Sequence, residues 1–384
     1  MRKILIASLL LIMPLIKGFA QIPASSFHIE IRLFTVELPD DSPVYICGNL
    51  PQLANWDPGK IKMSRSDKNI WSFDFYTNAD FPLEYKFTLG TWEKEGAKSD
   101  GTPFSNFILK AQKDTSVIDT VIVWLQRSPR KNIGQITGKV EYHRDLKGKG
   151  IASRDIVVWL PPDYYESGNI RYPVLYMQDG QNLFDPATSS FGTDWQIDEI
   201  CDSLIERGKL KPLIVVGIYN TTNRMSEYTP GEKGSAYMDF VIDTLKKFID
   251  RHYRTITGRK FTWVAGSSAG GTISFMLAWN HPDIFSKAFC LSPAFRIGNI
   301  DVVSDVTGYS GKKKKLTFYF DNGGIGLEER LQPGIDEMMK VLTEKGYRLG
   351  SEFFWIKSPQ AEHNEAAWAE RMPAALIIIL GKAK

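Results

Sequence analysis

The pattern of apolar and polar positions divides the chain into two parts with different periods. Between residues 27 and 124, short runs rich in β-branched and aromatic residues are separated by turn clusters, and Phe27 to Val36 alternates apolar with polar positions. Such alternation is typical of strands that bury one face. The spacing of the runs predicts a small all-β domain, an immunoglobulin-like antiparallel sandwich.

From residue 136 onward, apolar runs alternate with amphipathic segments. Val241, Leu245 and Ile249 fall on one face of a helix predicted over 237–252, as burial against a sheet requires. Strands that alternate with helices predict a mostly parallel sheet covered on both faces, here an α/β-hydrolase fold. The predicted strands are 156–160, 174–177, 213–218, 261–265, 288–291, 316–320 and 353–356, and the predicted helices are 195–207, 237–252, 271–280, 334–345 and 365–380.

These two patterns define the domain boundaries that we predict. The sandwich occupies residues 21–124, and the hydrolase domain occupies residues 136–384. Residues 125–135 are polar and lack periodicity, so we predict that they form the linker between the two domains.

One pentapeptide in the second part of the chain has the sequence pattern of a catalytic turn. Gly266-Ser267-Ser268-Ala269-Gly270 follows the predicted strand 261–265 and precedes the predicted helix 271–280. In the pattern G-x-S-x-G, the two glycines allow a sharp strand-to-helix bend that presents the serine hydroxyl. In a chain with this much glycine and serine, the pattern G-x-S-x-G can occur by chance. The prediction therefore depends on the position of the pentapeptide between a predicted strand and a predicted helix. The register makes Ser268 the nucleophile.

A serine hydroxyl needs a base that removes its proton. In the α/β-hydrolase order the histidine follows the serine, and only His281 and His363 do so. His281 lies at the end of the helix that leaves the turn, where it caps that helix. His363 lies in a polar loop before the last predicted helix. We therefore predict His363 as the base.

The candidates for the acid of the triad follow the predicted strand 316–320. Asp321 comes directly after this strand, and Glu328 and Glu329 come after a glycine-rich turn. We predict Glu328 as the acid and keep Asp321 as the alternative, because a strand-end aspartate can equally hold turn amides through its carboxylate.

Acyl transfer also needs two N–H donors for the developing oxyanion. The N–H of Ala269 directly follows the nucleophile at a helix start, where the helix dipole helps. The second donor is predicted in the loop after strand 174–177, at Gly180 or Gln181.

Substrate-pocket side chains are predicted in loops at the carboxyl ends of strands, where α/β folds bind ligands. Trp195, Arg224 and Tyr228 lie in such loops, and Trp368 follows His363 closely. Packing is the alternative role for each of these aromatic residues.

The first twenty residues differ from the rest of the chain. Arg2 and Lys3 precede an apolar run from Ile4 to Ile16, and small residues surround Ala20. This predicts a secretory signal peptide over residues 1–20 rather than a membrane anchor, because the run is short for a bilayer. We therefore expect a secreted or periplasmic protein without a membrane span.

Charge and composition suggest few partners. The formal net charge is +3, and the first twenty residues carry three basic residues and no acidic one, so the remainder is near neutral. Neither nucleic acid nor an anionic membrane is expected as a partner. Three cysteines cannot form a multi-bridge framework, and the five histidines lack metal-ligand spacing. No cofactor or metal is predicted.

Several motifs in the second part occur in a recognisable order along the chain. They are Pro173 to Phe184 (PVLYMQDGQNLF), the turn at 266–270, Ser292-Pro293 and Glu362 to Trp368 (EHNEAAW). With these motifs, the segment 136–381 resembles the putative esterase family, which includes esterase D, enterochelin esterases and feruloyl or acetyl-xylan esterases.

This resemblance implies an ester hydrolase in which Ser268 and His363 belong to the triad, and it supports Glu328 as the acid. The departure is the acid loop, where glycines 323, 324 and 326 differ from the family's pattern. Members of the family differ in substrate, so the resemblance implies the reaction and leaves the acyl group open.

The first part carries the motifs VYICGN at 44–49, NWDP at 55–58, EYKF at 84–87 and GTW at 90–92. With them, the segment 27–124 resembles starch- and glycogen-binding modules. The resemblance implies a glycan site made of Trp56, Lys86 and Trp92, in which the indoles offer flat apolar faces to sugars. The alternative is that Trp56 packs in the core and the module is only a platform.

Together these predictions describe an exported serine esterase that removes an acyl group from a carbohydrate, with an amino-terminal module that binds glycan. Two alternatives stay open. The likeness to enterochelin esterases suggests hydrolysis of a siderophore lactone, and the undecided acid leaves room for a glycan-binding protein with an inactive hydrolase domain.

Overall fold

The computed structural model describes residues 26–125 and 135–381, apart from residues 36–37, 40–41, 79–81, 100, 102–103, 105 and 191. The predicted signal peptide, and all of the predicted linker except its two ends, lie outside the described residues. The remaining chain contains an all-β domain followed by an α/β domain.

The amino-terminal domain contains two four-stranded sheets, with orders β4-β5-β1-β9 and β3-β2-β6-β8, and a two-stranded sheet of β7 and β10. Its strands are β1 (Phe27–Phe34), β2 (Tyr45–Gly48), β3 (Ile61–Lys62), β4 (Ser64–Asp67), β5 (Ile70–Thr77), β6 (Leu83–Thr88), β7 (Gly96–Ala97), β8 (Phe107–Leu109), β9 (Thr115–Thr120) and β10 (Val123–Trp124). Short 3-10 helices lie at Pro51–Trp56 and Trp92–Lys94.

Alternation along β1 explains why these strands form a sandwich. Ile29, Ile31 and Leu33 are fully buried in the core between the sheets, while the residues between them are less buried. The predicted sandwich is confirmed. One pairing differs from the antiparallel arrangement predicted, because β1 pairs with β9 in parallel.

The carboxyl-terminal domain is built on an eight-stranded mixed sheet with the order β11-β12-β14-β13-β15-β16-β19-β20. Its strands are β11 (Lys139–Gly148), β12 (Ile151–Leu160), β13 (Val174–Gln178), β14 (Ile214–Ile218), β15 (Thr262–Ser267), β16 (Lys287–Leu291), β19 (Thr317–Gly323) and β20 (Phe353–Ser358), with a small hairpin of β17 (Arg296–Ile297) and β18 (Ile300–Asp301). From β14 to β20 the neighbouring strands of the large sheet are parallel.

Helices cover both faces of this sheet. They are α1 (Ile197–Glu206), α2 (Arg224–Glu227), α3 (Glu232–Asp239), α4 (Lys247–His252), α5 (Ala269–Asn280), α6 (Val303–Gly308), α7 (Leu327–Glu344) and α8 (Glu365–Leu380), with a π-helical segment, Phe240–Lys246, between α3 and α4. Alternate residues of β14 point to opposite layers: Val216 packs in the core with α5 and α7, and Val215 packs in the core with α1 and α8. The predicted α/β-hydrolase architecture is confirmed.

Helix α7 and strand β11 are among the elements that differ from the sequence-based predictions. Helix α7 begins at Leu327, whereas the predicted helix begins at Gly334 because Pro333-Gly334 resembles a helix break. In the structure Gly334 serves close packing, since a Cβ there would lie 2.7 Å from the backbone nitrogen of Arg296. Strand β11 was missed because its sequence is largely polar, as is common at a sheet edge.

None of the helices in the described part of the chain has the length and apolar character that crossing a membrane requires.

Candidate active site

Four neighbouring parallel strands bring the predicted triad to one edge of the sheet. β15, β16, β19 and β20 lie side by side, and all four end at the same edge. Ser268 follows β15, Glu328 follows β19 and His363 follows β20. The carboxyl ends of parallel strands are where α/β folds place their ligands.

Ser268 occupies a strained bend between β15 and α5. Its backbone is at φ 55° and ψ −129°, and its N–H donates to the carbonyl of Leu291 at 2.9 Å. A Cβ at Gly266 would lie 2.6 Å from the backbone of Gly270, so this crossing requires glycine. The side chain of Ser268 is partly exposed while its neighbours in the bend are buried. This is the geometry of a nucleophile elbow.

Glu328 and His363 contact each other directly. The distance between His363 Nδ1 and Glu328 Oε1 is 3.2 Å, and the Glu328 side chain is 0% exposed. Because a carboxylate only accepts hydrogen bonds, we assign the imidazole proton to Nδ1, which leaves Nε2 able to accept a proton. Glu328 lies in the first turn of α7 rather than in the loop that the sequence predicted.

Asp321, the alternative acid, faces a different set of partners. It lies within β19, two residues before the strand ends, and it is fully buried. Its carboxylate accepts from the backbone N–H of Ser292 and from the hydroxyl of Tyr319, each at 3.2 Å, and lies 3.4 Å from Nε of Arg371. Burial raises the pKa of Asp321 to about 7. The contact with the histidine therefore belongs to Glu328.

The loop predicted to supply an oxyanion donor lies against the elbow. Gly180 and Gln181 open a short 3-10 helix, and Asp179 before them has a positive φ of 57°. A Cβ at Gly180 would lie 2.5 Å from the backbone of Gly217, so the loop packs tightly on β14. A Cβ at Gly270 would lie 3.1 Å from the carboxylate of Asp179. The loop and the amide of Ala269 thus share one corner of the site.

Arg224 and Tyr228 support this loop. Nε and Nη2 of Arg224 each lie 2.7 Å from an oxygen of Asp179, which makes a bidentate ion pair. The buried hydroxyl of Tyr228 accepts a hydrogen bond from the N–H of Asp179 at 3.4 Å. Although both residues were predicted in the substrate pocket, their contacts hold the loop in place.

Trp195 and Trp368 are also predicted pocket residues that the structure places in the interior. Their side chains are 2% and 6% exposed, and their rings lie 5.5 Å apart. The ring of Trp368 also packs edge-on against His363, with a centroid distance of 4.9 Å. Trp368 therefore limits the orientation of the imidazole, and Trp195 packs behind it.

In the amino-terminal domain, side-chain contacts bring the segments of the predicted glycan site together. Thr88 Oγ1 donates to the carbonyl of Pro58 at 2.5 Å, which joins the turn after Trp56 to the end of β6. Lys86 Nζ lies 2.7 Å from a carboxylate oxygen of Glu95 and 5.9 Å from the ring centroid of Trp92. Both tryptophans are partly exposed.

The family model described as putative esterase matches residues 152–379, more than half of the chain. The chain belongs to this family. Its carboxyl-terminal domain is an esterase domain. The family model described as starch binding domain matches residues 27–115 of the amino-terminal domain.

A curated relative of the esterase is the endo-1,4-beta-xylanase/feruloyl esterase of Xylanibacter ruminicola. It is 31% identical over 132 residues, which cover 33% of this chain and 18% of that protein. The chain also spans only about half the length of two curated relatives from Bacillus subtilis, 58% and 55%.

Solved structures share the fold of the esterase. A ferulic acid esterase matches with a TM-score of 0.53 and 19% identity over 64% of this chain and 98% of its own. The enterobactin esterase FES from Shigella flexneri matches with a TM-score of 0.52 and 15% identity over 87% of each chain. At these identities, the likeness concerns the fold alone.

Sequence reasoning missed three polar residues that surround the site of the esterase. Ser292 and Arg371 both approach Oε1 of Glu328, at 2.6 Å and 3.8 Å. Glu365 is buried at the start of α8, where its carboxylate accepts from the side-chain amide of Asn182 at 3.2 Å. Burial raises the pKa of Glu365 to about 7. Ser292 and Glu365 lie within motifs that resemble the family, which was the only signal available for them.

The esterase domain also brings three carboxylates together away from the triad. Oxygens of Asp194, Asp198 and Glu199 all lie within 4.8 Å of one another, a grouping that could hold a metal ion. Histidine and cysteine spacing could not have predicted it. The N–H of Thr137 donates to Asp198 at 2.7 Å, and burial, reinforced by Glu199, raises the pKa of Asp198 to about 8. A proton on Asp198 therefore relieves the repulsion within this cluster at neutral pH.

Proposed function

We propose that the protein is an exported serine esterase that hydrolyses an ester bond between an acyl group and a carbohydrate. The observation that carries this proposal is the contact between Glu328 and His363 at the sheet edge where Ser268 forms its bend. Family membership supports ester hydrolysis, and the starch-binding match supports a carbohydrate partner. The apolar start of the chain, residues 4–16, supports export.

In the proposed mechanism, Ser268 Oγ attacks the carbonyl carbon of the ester while His363 Nε2 takes the hydroxyl proton. The carbonyl oxygen becomes an oxyanion, which accepts hydrogen bonds from the N–H of Ala269 and from that of Gly180 or Gln181. The intermediate collapses, and the imidazolium returns the proton to the departing alcohol. Water then attacks the acyl-enzyme by the same route and releases the carboxylic acid.

The burial of Glu328 strengthens the effect of its charge on the histidine. Glu328 has no exposed surface, so its charge is not screened by water and acts at close range on the imidazolium. Burial opposes ionisation, but His363, Ser292 and the N–H of Gly323 stabilise the carboxylate and lower the pKa of Glu328 overall. The acid is therefore ionised when the histidine accepts its proton.

The first test compares serine variants on p-nitrophenyl acetate. Ser268→Ala should reduce kcat by a factor of ~10³ or more, because no nucleophile remains. Ser267→Ala is the matched control, since it removes a buried hydroxyl one residue earlier, and it should retain activity within an order of magnitude. Unchanged hydrolysis by Ser268→Ala would falsify the proposal.

The second test identifies the substrate. Acetylated and feruloylated xylan, acylated α-glucan and small aryl esters are compared on the intact protein and on residues 135–384. We expect faster release from acylated polysaccharide by the intact protein than by the truncated one, and equal rates on small esters. Glycan affinity without turnover of any ester would instead favour a binding protein with an inactive hydrolase domain.

A siderophore lactone is the second candidate substrate. The match to the enterobactin esterase FES extends over 87% of both chains and so includes both domains of this protein. A catechol trilactone is therefore assayed beside the polysaccharides. A kcat/KM for the trilactone that exceeds those for all acylated glycans would replace the carbohydrate substrate and keep the same triad.

A further inference from the structure

The hydroxyl of Ser292 has its hydrogen-bond directions determined by its neighbours. Ser292 follows β16, is fully buried and has a positive φ of 45°. Its Oγ lies 2.6 Å from Oε1 of Glu328, 3.1 Å from Nε1 of Trp368 and 2.8 Å from Nη2 of Arg371. An indole N–H and a guanidinium can only donate, so both donate to Oγ. The single proton of the hydroxyl must therefore point to Glu328.

This proton completes the set of donors around Glu328. Oε1 accepts from Ser292 and from His363, and Oε2 accepts from the N–H of Gly323 at 2.9 Å. A carboxylate that is held on both oxygens cannot rotate away from the histidine. It also loses these bonds if it is protonated, which keeps it charged.

Arg371 lies between two buried carboxyl groups. Its Nε is 3.4 Å from Asp321 Oδ2, and its Nη2 is 3.8 Å from Glu328 Oε1. The hydroxyl of Tyr319 also donates to Asp321. One guanidinium thus serves both acids, and it approaches Oε1 of Glu328, the oxygen that also accepts from His363.

We propose that Ser292 and Arg371 are positioning residues of the triad. Ser292 directs its proton to the acid and fixes the orientation of that acid, and Arg371 donates to Ser292 and places a positive charge between the carboxyl groups of Glu328 and Asp321. This inference depends on the proposed function, because it concerns the acid of the same triad.

The experiment uses full-length protein and first establishes that wild type hydrolyses p-nitrophenyl acetate and that Ser268→Ala does not. Ser292→Ala and Ser292→Gly then remove the hydroxyl, and the glycine variant also suits the positive φ. Ser286→Ala is the control at the other end of β16, where Oγ is buried without a partner among the described residues. Arg371→Met and Arg371→Lys complete the set.

We expect both Ser292 variants to lose kcat by a factor of ~10 or more with KM nearly unchanged, because a hydrogen bond to a charged group is lost. Ser286→Ala should stay within about twofold of wild type. Arg371→Met should move the acidic limb of the kcat/KM profile to higher pH by ~1 unit, since losing the cation favours protonation of Glu328. Arg371→Lys should return the limb toward its wild-type position.

The inference is overturned if folded Ser292→Gly keeps the kcat of Ser286→Ala, or if Arg371→Met leaves the acidic limb in place. Either result could occur while Ser268→Ala remains inactive, so it would leave the proposed function intact. Inactive wild type on every ester would refute the proposed function itself.

Discussion

At the scale of single residues, the charge of Glu328 organises the candidate site. Its side chain is 0% exposed, and it accepts hydrogen bonds from a serine hydroxyl, a backbone N–H and His363. These donors outweigh the cost of burying the charge, because the pKa of Glu328 is lowered overall. A fixed negative charge beside Nδ1 is what stabilises an imidazolium when the histidine takes a proton.

Replacing this carboxylate by an amide tests that role. Glu328→Gln keeps the shape of the side chain but removes the charge and allows the wrong imidazole tautomer. We expect kcat on p-nitrophenyl acetate to fall by a factor of ~10²–10⁴ while KM changes little. Steady-state kinetics measure both constants.

The matched control for this prediction is Glu329→Gln, which makes the same change at the next, exposed residue of α7. It should alter kcat by less than about twofold, as most surface substitutions do. Equal kcat values for Glu328→Gln and Glu329→Gln would remove Glu328 from the triad.

Residue types and order indicate only part of this site. The positions of Ser268 and His363 could be predicted from local sequence patterns. Ser268 lies in a bend between a strand and a helix, and His363 lies in a loop before the last helix. Glu328 and Asp321 follow one predicted strand, so choosing between them required the contact with His363. The burial of Tyr228 could not be predicted either, because an aromatic residue in a loop can face the pocket or the core.

At the scale of elements, the loop after β13 is the segment predicted to supply an oxyanion donor. It is held from three sides: by packing of Gly180 on Gly217, by the ion pair of Asp179 with Arg224, and by the bond from Asn182 to Glu365. The position of this loop at a strand end was predictable from the alternation of strands and helices. Its supports come from distant parts of the chain, so no local pattern predicted them.

Adding a methyl group at Gly180 should displace this loop. A Cβ would lie 2.5 Å from the backbone of Gly217, which cannot move without disturbing β14. We expect Gly180→Ala to lower kcat by a factor of ~10² or more through loss of an oxyanion donor. Urea denaturation should also show a decrease of ~1–3 kcal/mol in the free energy of unfolding.

Gly258→Ala provides the control for this prediction. Gly258 has a φ of −73°, and no heavy atom of the described residues lies within 4 Å of a Cβ built there. Its activity should match wild type, and its stability should be equal or slightly higher, because alanine restricts the unfolded chain. If Gly180→Ala behaves like Gly258→Ala, the loop does not supply the donor.

At the scale of the whole molecule, a contact joins the amino-terminal domain to α7, the helix in which Glu328 lies. Arg330 lies two residues after Glu328 in α7, and its guanidinium contacts the carboxylate of Glu84 in β6. Glu84 is two residues before Lys86 in the same strand, so both side chains lie on one face of it. The two sites are therefore linked through one strand and one helix.

Substituting one partly exposed aromatic residue tests whether the predicted glycan binding is separable from hydrolysis. We expect Trp92→Ala in the full-length protein to weaken retention in gels that contain starch or glycogen by a factor of ~5 or more, since stacking of an indole on a sugar is lost. Lys86 remains paired with Glu95 in this variant, so the strand keeps its local contacts.

The control is Tyr76→Ala, which removes another exposed ring from the opposite sheet of the sandwich and should leave retention unchanged. Rates on small esters should be equal in wild type, Trp92→Ala and Tyr76→Ala, because the predicted triad lies in the carboxyl-terminal domain. Release from acylated polysaccharide should decrease only in Trp92→Ala, in proportion to lost binding.

If retention is the same for both variants, the aromatic residues serve packing and the amino-terminal domain is a platform. If the rate on small esters also falls, the contact between Arg330 and Glu84 affects hydrolysis in addition to joining the two domains.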